Sequence, residues 1–265
     1  MRKSFLHYLF VSFIFFCSCS SLDPDEKDIN SYALKAYDEI KTKSKISQNA
    51  EWTEMLNRVA PRIAEASGEK FNWEWMLIEN PEVNAWCMPG GKIAVYTGIM
   101  PVLKTEAALA AVLGHEVAHA TKRHGKKRYA RAIKGNLAGL VIGAATAVGG
   151  QIWCKSESCK MLTGLGGAAA GFAIAFFDRK FSREDETESD KVGQQYMARA
   201  GYDPREASRV WERMGQASSG RAPPEFLSTH PSDATRKNNL NSWLPQAMET
   251  YLKAPNKYGI GSPIE

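Results

Sequence analysis

The sequence has few histidines and cysteines and no strong excess of either charge. Its 265 residues include five histidines and five cysteines, and the formal net charge is +5. Two positive charges, Arg2 and Lys3, lie in a segment that we expect to be removed, so the mature excess is smaller still. Such a mild excess gives no reason to expect a nucleic-acid partner. Hydrophobic residues make up 44% and charged residues 24%, as in ordinary globular proteins.

Long hydrophobic runs are also missing. The N-terminal apolar run covers residues 5–16 (FLHYLFVSFIFF) and follows the short basic stretch MRK. Its length is typical of a signal-peptide core and is short for a transmembrane helix. We therefore expect an exported protein whose body lies outside the bacterial cytoplasm.

A cysteine shortly after this run predicts a lipid anchor. Ser18 provides the small residue that lipoprotein signals carry before the lipidated Cys19, although Phe16 stands where leucine is usual. We expect residues 1–18 to be a lipoprotein signal peptide and residues 19–30 to be a polar tether. A conventionally cleaved or an uncleaved signal is the alternative.

The other cysteines are too few for a four-cysteine metal site. Cys154 and Cys159 stand in a polar turn, WCKSESCK, and would close a small disulfide loop in an oxidising compartment. Two free thiols are the alternative for this pair. Cys87 is expected to pack against its neighbours rather than to bind metal.

Periodicity predicts a chain rich in α-helix with a small β-sheet. Residues 31–67 are predicted to form two helices, and Pro61 should kink or end the second. Alternation predicts a strand over 71–79, and a turn-rich connection leads to a second strand over 92–98. Further helices are predicted over 106–124, 183–200, 204–218 and, with a break at Pro245, 232–252.

We expect one domain over residues 31–252, followed by a flexible tail over 253–265. Two Gly/Ala-rich apolar stretches, 137–153 and 161–177, predict a buried helical hairpin. Alanine and glycine favour insertion into lipid only weakly, which supports a soluble hairpin. A hairpin that dips into the membrane is the alternative.

Three of the five histidines fall within LGHEVAHATKRH, residues 113–124. His115, Glu116 and His119 match the pattern H-E-x-x-H. Residues four apart share one face of a helix, so both imidazoles can bind one metal ion and Glu116 can reach a water beside it. This pattern indicates the zinc site of a hydrolase, with the glutamate as general base.

The third of these histidines, His124, is expected to do something else. It stands nine residues after His115 and so lies on the opposite side of a straight helix. With the basic residues around it, His124 predicts a solvated, positively charged helix end. Contact with anionic lipid near a tethered body is the alternative.

A catalytic zinc needs a third protein ligand. The acidic stretch over 182–204 offers Glu184, Glu186 and Glu188, and spacing alone does not choose between them. Asp190 shares a helix face with Glu186 and could accept the N–H of a ligating histidine, which would fix its tautomer. A charged helix start that faces solvent is the alternative.

Four stretches of the chain resemble the HtpX-like metallopeptidases, peptidase family forty-eight, which also includes the CAAX prenyl proteases and the mitochondrial Oma-type protease. The resemblance covers most of residues 80–240 and implies a zincin-type α+β domain, predominantly α-helical, with a small β-sheet bordering the active-site helix. The stretches, in family order, are NAWCMPGGKIAVYTG at 84–98, LAAVLGHEVAHATKRH at 109–124, SREDETESDKVGQQYMARAGYDP at 182–204 and STHPSDATR at 228–236.

This resemblance implies a set of zinc ligands. Glu186 would join His115 and His119 in a gluzincin arrangement, and Asp190 would support the ligands from behind. The family usually has alanine just before that aspartate, whereas this chain has Ser189.

Two further parts of the site also follow from the resemblance. His230 would approach the metal and either stabilise the oxyanion or block the water position; capping of the following helix is the alternative. The strand after Pro-Gly-Gly would border the cleft, so that Gly91, Lys92, Ile93 and Ala94 offer a free edge to an extended peptide.

The resulting prediction is a zinc-dependent endopeptidase that hydrolyses misfolded or misassembled proteins of the bacterial cell envelope. Its expected partners are polypeptide substrates, the membrane through a lipid anchor, and the outer-membrane assembly machinery. Ser20 follows Cys19 where aspartate would retain a lipoprotein, so we expect a periplasm-facing lipoprotein of the outer membrane. The alternatives are an envelope chaperone or assembly factor with latent protease activity, and an integral membrane protease with residues 137–177 inserted in lipid.

Overall fold

The protein folds as helices around a small sheet, which confirms the predicted fold class. A computed structural model describes residues 23–136, 167–177, 180–217, 225–230 and 234–264. The predicted signal peptide over 1–18, the predicted lipidation of Cys19 and the predicted Cys154–Cys159 disulfide concern residues outside these ranges, so they stay predictions.

Helices make up most of the described chain. They are α1 (Glu26–Lys43), α2 (Ala50–Ser67), α3 (Met100–Leu103), α4 (Glu106–Thr121), α5 (His124–Asn136), α6 (Gly167–Phe177), α7 (Arg183–Arg199), α8 (Glu206–Ala217), α9 (Glu225–Thr229) and α10 (Ala234–Lys253).

Three strands form the sheet: β1 (Glu74–Ile78), β2 (Ala85–Met88) and β3 (Lys92–Tyr96). Their order is β1-β3-β2, with β1 parallel and β2 antiparallel to β3. The sequence predicts strands where β1 and β3 lie, but it assigns β2 to a turn-rich connection. All four residues of β2 are buried, so the strand is short and shows no alternation of polar and apolar residues.

The two faces of the sheet contribute to two hydrophobic cores, because successive side chains of a strand point to opposite faces. One core lies on the side of α2 and α4 and includes Cys87, which confirms that this cysteine packs rather than binds metal. The other core lies on the side of α1 and α6. The sheet residues of the first core are Leu77, Ala85, Cys87, Ile93 and Val95, and those of the second are Met76, Ile78, Trp86, Met88, Ala94 and Tyr96.

Helix α4, which carries the H-E-x-x-H motif, runs through the centre of the protein. Its first turn is capped by Thr105, whose hydroxyl accepts a hydrogen bond from the backbone N–H of Ala108 at 3.2 Å. Every residue from Glu106 to Ala120 is buried. Its many alanines allow neighbouring helices to approach on all sides, which is why this helix shows no clear polar face.

Two glycines set the distance between α4 and α7. A Cβ atom on Gly114 would lie 2.6 Å from the carbonyl oxygen of Gly193, and a Cβ atom on Gly193 would lie 2.7 Å from the backbone of Gly114. The two helices therefore cross with their backbones in contact. This crossing brings the first turns of α7 to the face of α4 that carries the motif.

Neither proline inside a helix ends it, so the predicted break at Pro245 was wrong, and of the two outcomes predicted for Pro61 the structure excludes the end of the helix. Helix α2 continues through Pro61 and α10 continues through Pro245. In α2, burial of the apolar face formed by Met55, Leu56 and Val59 outweighs the hydrogen bond that the proline removes.

Both ends of the predicted domain need correction. The tether is shorter than residues 19–30, because α1 begins at Glu26 and buries Ile29. Residues 253–264 are not loose: the N–H of Ile264 donates to the carbonyl of Lys104 at 3.0 Å. A further bridge joins Gly259 to Tyr202. Backbone hydrogen bonds therefore hold this segment to the domain.

The predicted hairpin over 137–177 lies largely outside the described residues. Its described part, α6, packs on α1 and α5, with the ring of Phe172 5.9 Å from that of Tyr129. Within the described ranges, no helix combines the length and the apolar character that crossing a membrane requires.

Candidate metal centre

The two histidines of the motif point at the same spot. The Nε2 atoms of His115 and His119 lie 3.0 Å apart, and both side chains are buried. This confirms that the helical spacing places the two imidazoles on one face of α4. Two Nε2 atoms at this distance, on adjacent turns, present their lone pairs to one site.

Glu186 reaches this site from the first turn of α7. Ser182 caps that helix, and its side chain and that of Asp185 form a capping box that fixes the helix start. The carboxylate oxygens of Glu186 lie 3.5 Å from Nε2 of His115 and 3.5 Å from Nε2 of His119. Because α4 and α7 cross at Gly114 and Gly193, it is Glu186, rather than Glu184 or Glu188, whose side chain reaches the two histidines.

A fourth donor comes from His230, which follows α9. Its Nδ1 atom lies 3.2 Å from Nε2 of His115 and 3.0 Å from Glu186. Ligand atoms of all four buried side chains lie within 4.8 Å of one another. The structure therefore brings His230 into the centre, as the resemblance implies, rather than onto a surface loop.

The donor set fits zinc. Three imidazole nitrogens and one carboxylate oxygen match the preferences of this ion, and two histidines with a glutamate are a known catalytic set. All four side chains are buried, where charged and polar groups need partners.

Asp190 and Arg236 contact the ligand side chains and fix their orientation. Oδ1 of Asp190 lies 2.9 Å from Nδ1 of His115, as predicted, so that Nε2 is left for the metal. Arg236 donates two hydrogen bonds of 2.7 Å to Asp190, and its Nη1 lies 2.8 Å from Glu186. Burial opposes a charge on His115, but the hydrogen bonds with Asp190 and Glu186 outweigh it and raise the pKa of His115 to about 9.

Arg236 is a site residue to which the sequence prediction gave no role. It belongs to the stretch STHPSDATR, so the family resemblance was the available signal. Its guanidinium is buried and stacks 3.9 Å from the ring centre of Trp211. A buried arginine is stable here because it is paired with two carboxylates.

His124 does not lie on a solvated helix end, and this prediction was wrong. Helix α4 ends at Thr121, Arg123 adopts a left-handed φ of 58°, and a separate helix, α5, starts at His124. The straight-helix assumption therefore fails at Arg123. His124 is fully buried, and its Nδ1 atom lies 3.0 Å from Nδ1 of His119.

His124 links a ligand to the surface. If Nε2 of His119 binds the metal, its Nδ1–H donates to Nδ1 of His124, whose Nε2–H donates to Glu188 at 3.0 Å. Ser189, the residue that departs from the family pattern, lies 3.1 Å from the same Nδ1 atom of His124. This chain of contacts fixes the tautomer and the orientation of His119.

Glu116 lies beside the centre without belonging to it. Its Oε1 atom is 3.5 Å from Nε2 of His230 and accepts no hydrogen bond from the described residues. Burial raises the pKa of Glu116, although the nearby His230 and His115 oppose this. A buried carboxylate with a raised pKa and a free oxygen is suited to accept and return a proton.

The predicted substrate-binding edge is in the wrong strand. Lys92, Ile93 and Ala94 belong to β3, which has β1 on one side and β2 on the other, so it has no free edge. Gly91 serves the turn, with φ at 82° and no room for a Cβ atom beside Trp73. The sequence does not reveal this because β2, which covers the edge of β3, is fully buried and shows no alternation of polar and apolar residues.

The strand that borders the centre is β2. A cavity beside Glu116 and His230 is lined by Asn84, Ala85 and Trp86. The backbone N–H of Tyr96 on β3 donates to the carbonyl oxygen of Asn84. Hydrogen-bonded and non-hydrogen-bonded residues alternate along an antiparallel strand, so Ala85 and Cys87 direct their backbone groups away from β3. The backbone of Cys87 hydrogen-bonds Glu116, which ties this edge to the base.

Comparison with known proteins agrees with this geometry. Residues 47–244 match the family described as Peptidase family M48. The chain is 36% identical over 195 residues to the Mitochondrial metalloendopeptidase OMA1 of Schizosaccharomyces pombe, covering 72% of this chain and 53% of the relative. It is 28% identical over 204 residues to the Beta-barrel assembly-enhancing protease of Escherichia coli, covering 75% and 41%. This chain thus spans about half the length, or less, of these relatives.

Proposed function

Because this chain belongs to peptidase family M48 and carries the site of a zinc metalloendopeptidase, we propose that it hydrolyses peptide bonds within misfolded or misassembled proteins of the bacterial cell envelope. The observation that carries the proposal is the convergence of His115, His119 and Glu186 beside the buried base Glu116.

The residues around the centre have distinct parts in the reaction. His115, His119 and Glu186 would hold zinc, which when bound supplies Lewis-acid polarisation of the peptide carbonyl and acidifies water. Glu116 takes a proton from the attacking water and passes it to the leaving amine, a task that suits its raised pKa.

His230 faces both the ligands and the base. Its Nδ1 atom lies among the ligand atoms, and its Nε2 atom lies 3.5 Å from Glu116. In this position the imidazole fills the space that water and substrate need. Turned outwards, the same side chain would donate a hydrogen bond to the negative charge that develops on the carbonyl oxygen.

Substrate would bind along β2. The outward backbone groups of Ala85 and the outward carbonyl of Cys87 would pair with an extended peptide, since the Cys87 N–H already donates to Glu116, and the cavity beside them would take one side chain. Main-chain recognition gives little sequence preference, which suits an enzyme that removes unfolded proteins of many kinds.

The cell-envelope location rests on the N-terminal sequence and on one group of relatives. The apolar run over 5–16 and Cys19 support an HtpX-like enzyme exported as a lipoprotein, and Ser20 supports the periplasmic side of the outer membrane. The Beta-barrel assembly-enhancing protease supports a link to the outer-membrane assembly machinery. The mitochondrial relatives support the chemistry but not this location.

The test is cleavage of casein by the zinc-loaded full chain and by the isosteric variant Glu116→Gln. The variant should keep its zinc and lose activity by about 100-fold or more, because proton transfer contributes at least that factor. The matched control is Glu184→Gln, an exposed position on the first turn of α7, which should remain active. Undiminished cleavage by Glu116→Gln would refute the proposal.

The same variant separates the protease from a chaperone or assembly factor with latent protease activity. A Glu116→Gln chain that restores envelope integrity to a deletion strain as well as wild type does would favour the chaperone. An integral membrane protease would remain in the membrane fraction when Cys19 is replaced by alanine and the export signal is kept.

A further inference from the structure

Helix α5 carries four basic side chains on one face: Lys126, Lys127, Arg131 and Lys134, called here the basic face. On an α-helix these positions fall within an arc of about 140°. The opposite side of α5 is buried and contains His124, Arg128 and Tyr129 among others. The side chains of Lys127, Arg131 and Lys134 are 50–54% exposed.

Acidic neighbours neutralise this face only in part. Arg131 pairs with Asp185 at 2.7 Å and Lys134 with Asp23 at 2.8 Å. Glu188 lies 4.0 Å from Lys127, but it is shared with Lys122 and His124. Among the described residues, no acidic side chain forms an ion pair with Lys126. Between Glu116 and Glu157 the sequence has eight lysines or arginines and no acidic residue.

The basic face lies close in sequence to the proposed lipid anchor and to an apolar stretch. Asp23, in contact with Lys134, is four residues after the proposed lipid anchor at Cys19, a distance of at most about 14 Å in extended chain. Helix α5 ends at Asn136, and the apolar stretch over 137–153 begins with the next residue.

From this arrangement we propose that the basic face of α5 docks on the anionic surface of the membrane to which the N-terminus is attached. A basic cluster beside an apolar anchor gains binding energy from anionic lipids, and one anchor plus one basic patch holds a protein more firmly than either alone. Docking fixes the orientation of the domain relative to the lipid. The proposal rests on the proposed N-terminal anchor and does not depend on proteolytic activity.

Lysine reactivity in vesicles tests the proposal. The full zinc-loaded chain is reconstituted in vesicles of phosphatidylcholine alone or with one third phosphatidylglycerol, and lysines are acetylated with a neutral reagent and quantified by mass spectrometry. Lys127 and Lys134 should react about fivefold more slowly in the anionic vesicles, the factor expected for one lysine at such a surface. Exposed Lys104 and Lys253, on other elements, should react equally in both.

Charge-reversal variants give the matched comparison. In Lys126→Glu/Lys127→Glu the protection of Lys134 should disappear, whereas Lys104→Glu/Lys253→Glu should leave it intact. Both variants change the net charge equally and spare the metal centre, so unchanged zinc content and casein cleavage show that they are folded. High salt should also abolish the protection.

Three results would overturn the proposal. Equal reactivity of Lys127 and Lys134 in both vesicles would show that the face does not touch lipid. Protection that persists in phosphatidylcholine or in high salt would show that another part of the chain covers the face. Protection by added duplex DNA but not by anionic vesicles would assign the face to nucleic acid.

Discussion

Replacing Arg236 by methionine removes a buried cation that holds two carboxylates of the metal centre. The guanidinium donates two 2.7 Å hydrogen bonds to Asp190 and lies 2.8 Å from Glu186, and its side chain is only 6% exposed. Methionine matches the arginine stem in length and apolar character, so the change removes the charge with little loss of packing.

The expected loss of stability is large because both carboxylates would stay buried without their partner. Removing one member of a buried ion pair costs about 3–5 kcal/mol. For a domain of this size that corresponds to a fall in Tm of about 10 °C. Zinc affinity should fall by about 10–100-fold, since Asp190 would no longer be held against His115.

Urea unfolding of the metal-free protein and competitive zinc titration measure these two effects. The control is Arg209→Met, because Arg209 pairs with Glu206 at 2.9 Å while its side chain is 52% exposed. Glu206 is buried but keeps Arg213 at 2.8 Å as a second partner, so loss of the half-exposed Arg209 should cost less than about 1 kcal/mol. The reasoning would be refuted if the two variants lost equal stability and Arg236→Met kept its zinc affinity.

Three further predictions address other parts of the fold. Gly193→Ala should lower the free energy of unfolding by about 1–3 kcal/mol, since its Cβ would meet the backbone of α4. The control Gly215→Ala has open space around it and should stabilise α8 by about 0.5–1 kcal/mol. Equal effects of the two variants in urea unfolding would contradict the close backbone contact between α4 and α7. In the competitive zinc titration, His124→Ala should weaken zinc binding by about 10-fold. His124→Gln should weaken it by less, because the glutamine side chain can still accept the hydrogen bond from His119. Equal losses of zinc affinity in the two variants would show that His124 only fills space. Burial raises the pKa of Glu106, but hydrogen bonds from Tyr202 and Arg58 outweigh it and hold the pKa below its usual value. Wild type should therefore exceed Glu106→Gln in stability at pH 7, and the difference should vanish as the pH falls below about 4; a difference that grows in acid would contradict this sign.

The metal ligands were predictable because their pattern is local. His115, Glu116 and His119 are defined by the geometry of a single helix, and Thr105 and the helix it caps follow from neighbouring residues. Glu186 was different: spacing left three glutamates open, and the backbone contact between two glycines, which decides the matter, depends on tertiary packing.

The errors for His124 and the substrate edge share a cause, which is that each depends on the path of the backbone between elements. His124 was assigned to a straight helix because nothing in the sequence predicts the left-handed Arg123. The substrate edge was assigned to β3 because the four residues of β2 are all buried and carry no strand signal. Arg236 reaches its two carboxylates only once α7 and α10 are packed together.

The most direct test of the metal centre is a crystal structure of the zinc-loaded protein with anomalous scattering at the zinc edge. The account predicts one zinc ion, with Nε2 of His115 and His119 at about 2.0–2.1 Å and a carboxylate oxygen of Glu186 at about 2.0–2.2 Å. A zinc ion bound elsewhere, or a Glu186 side chain turned away from the two imidazoles, would contradict it.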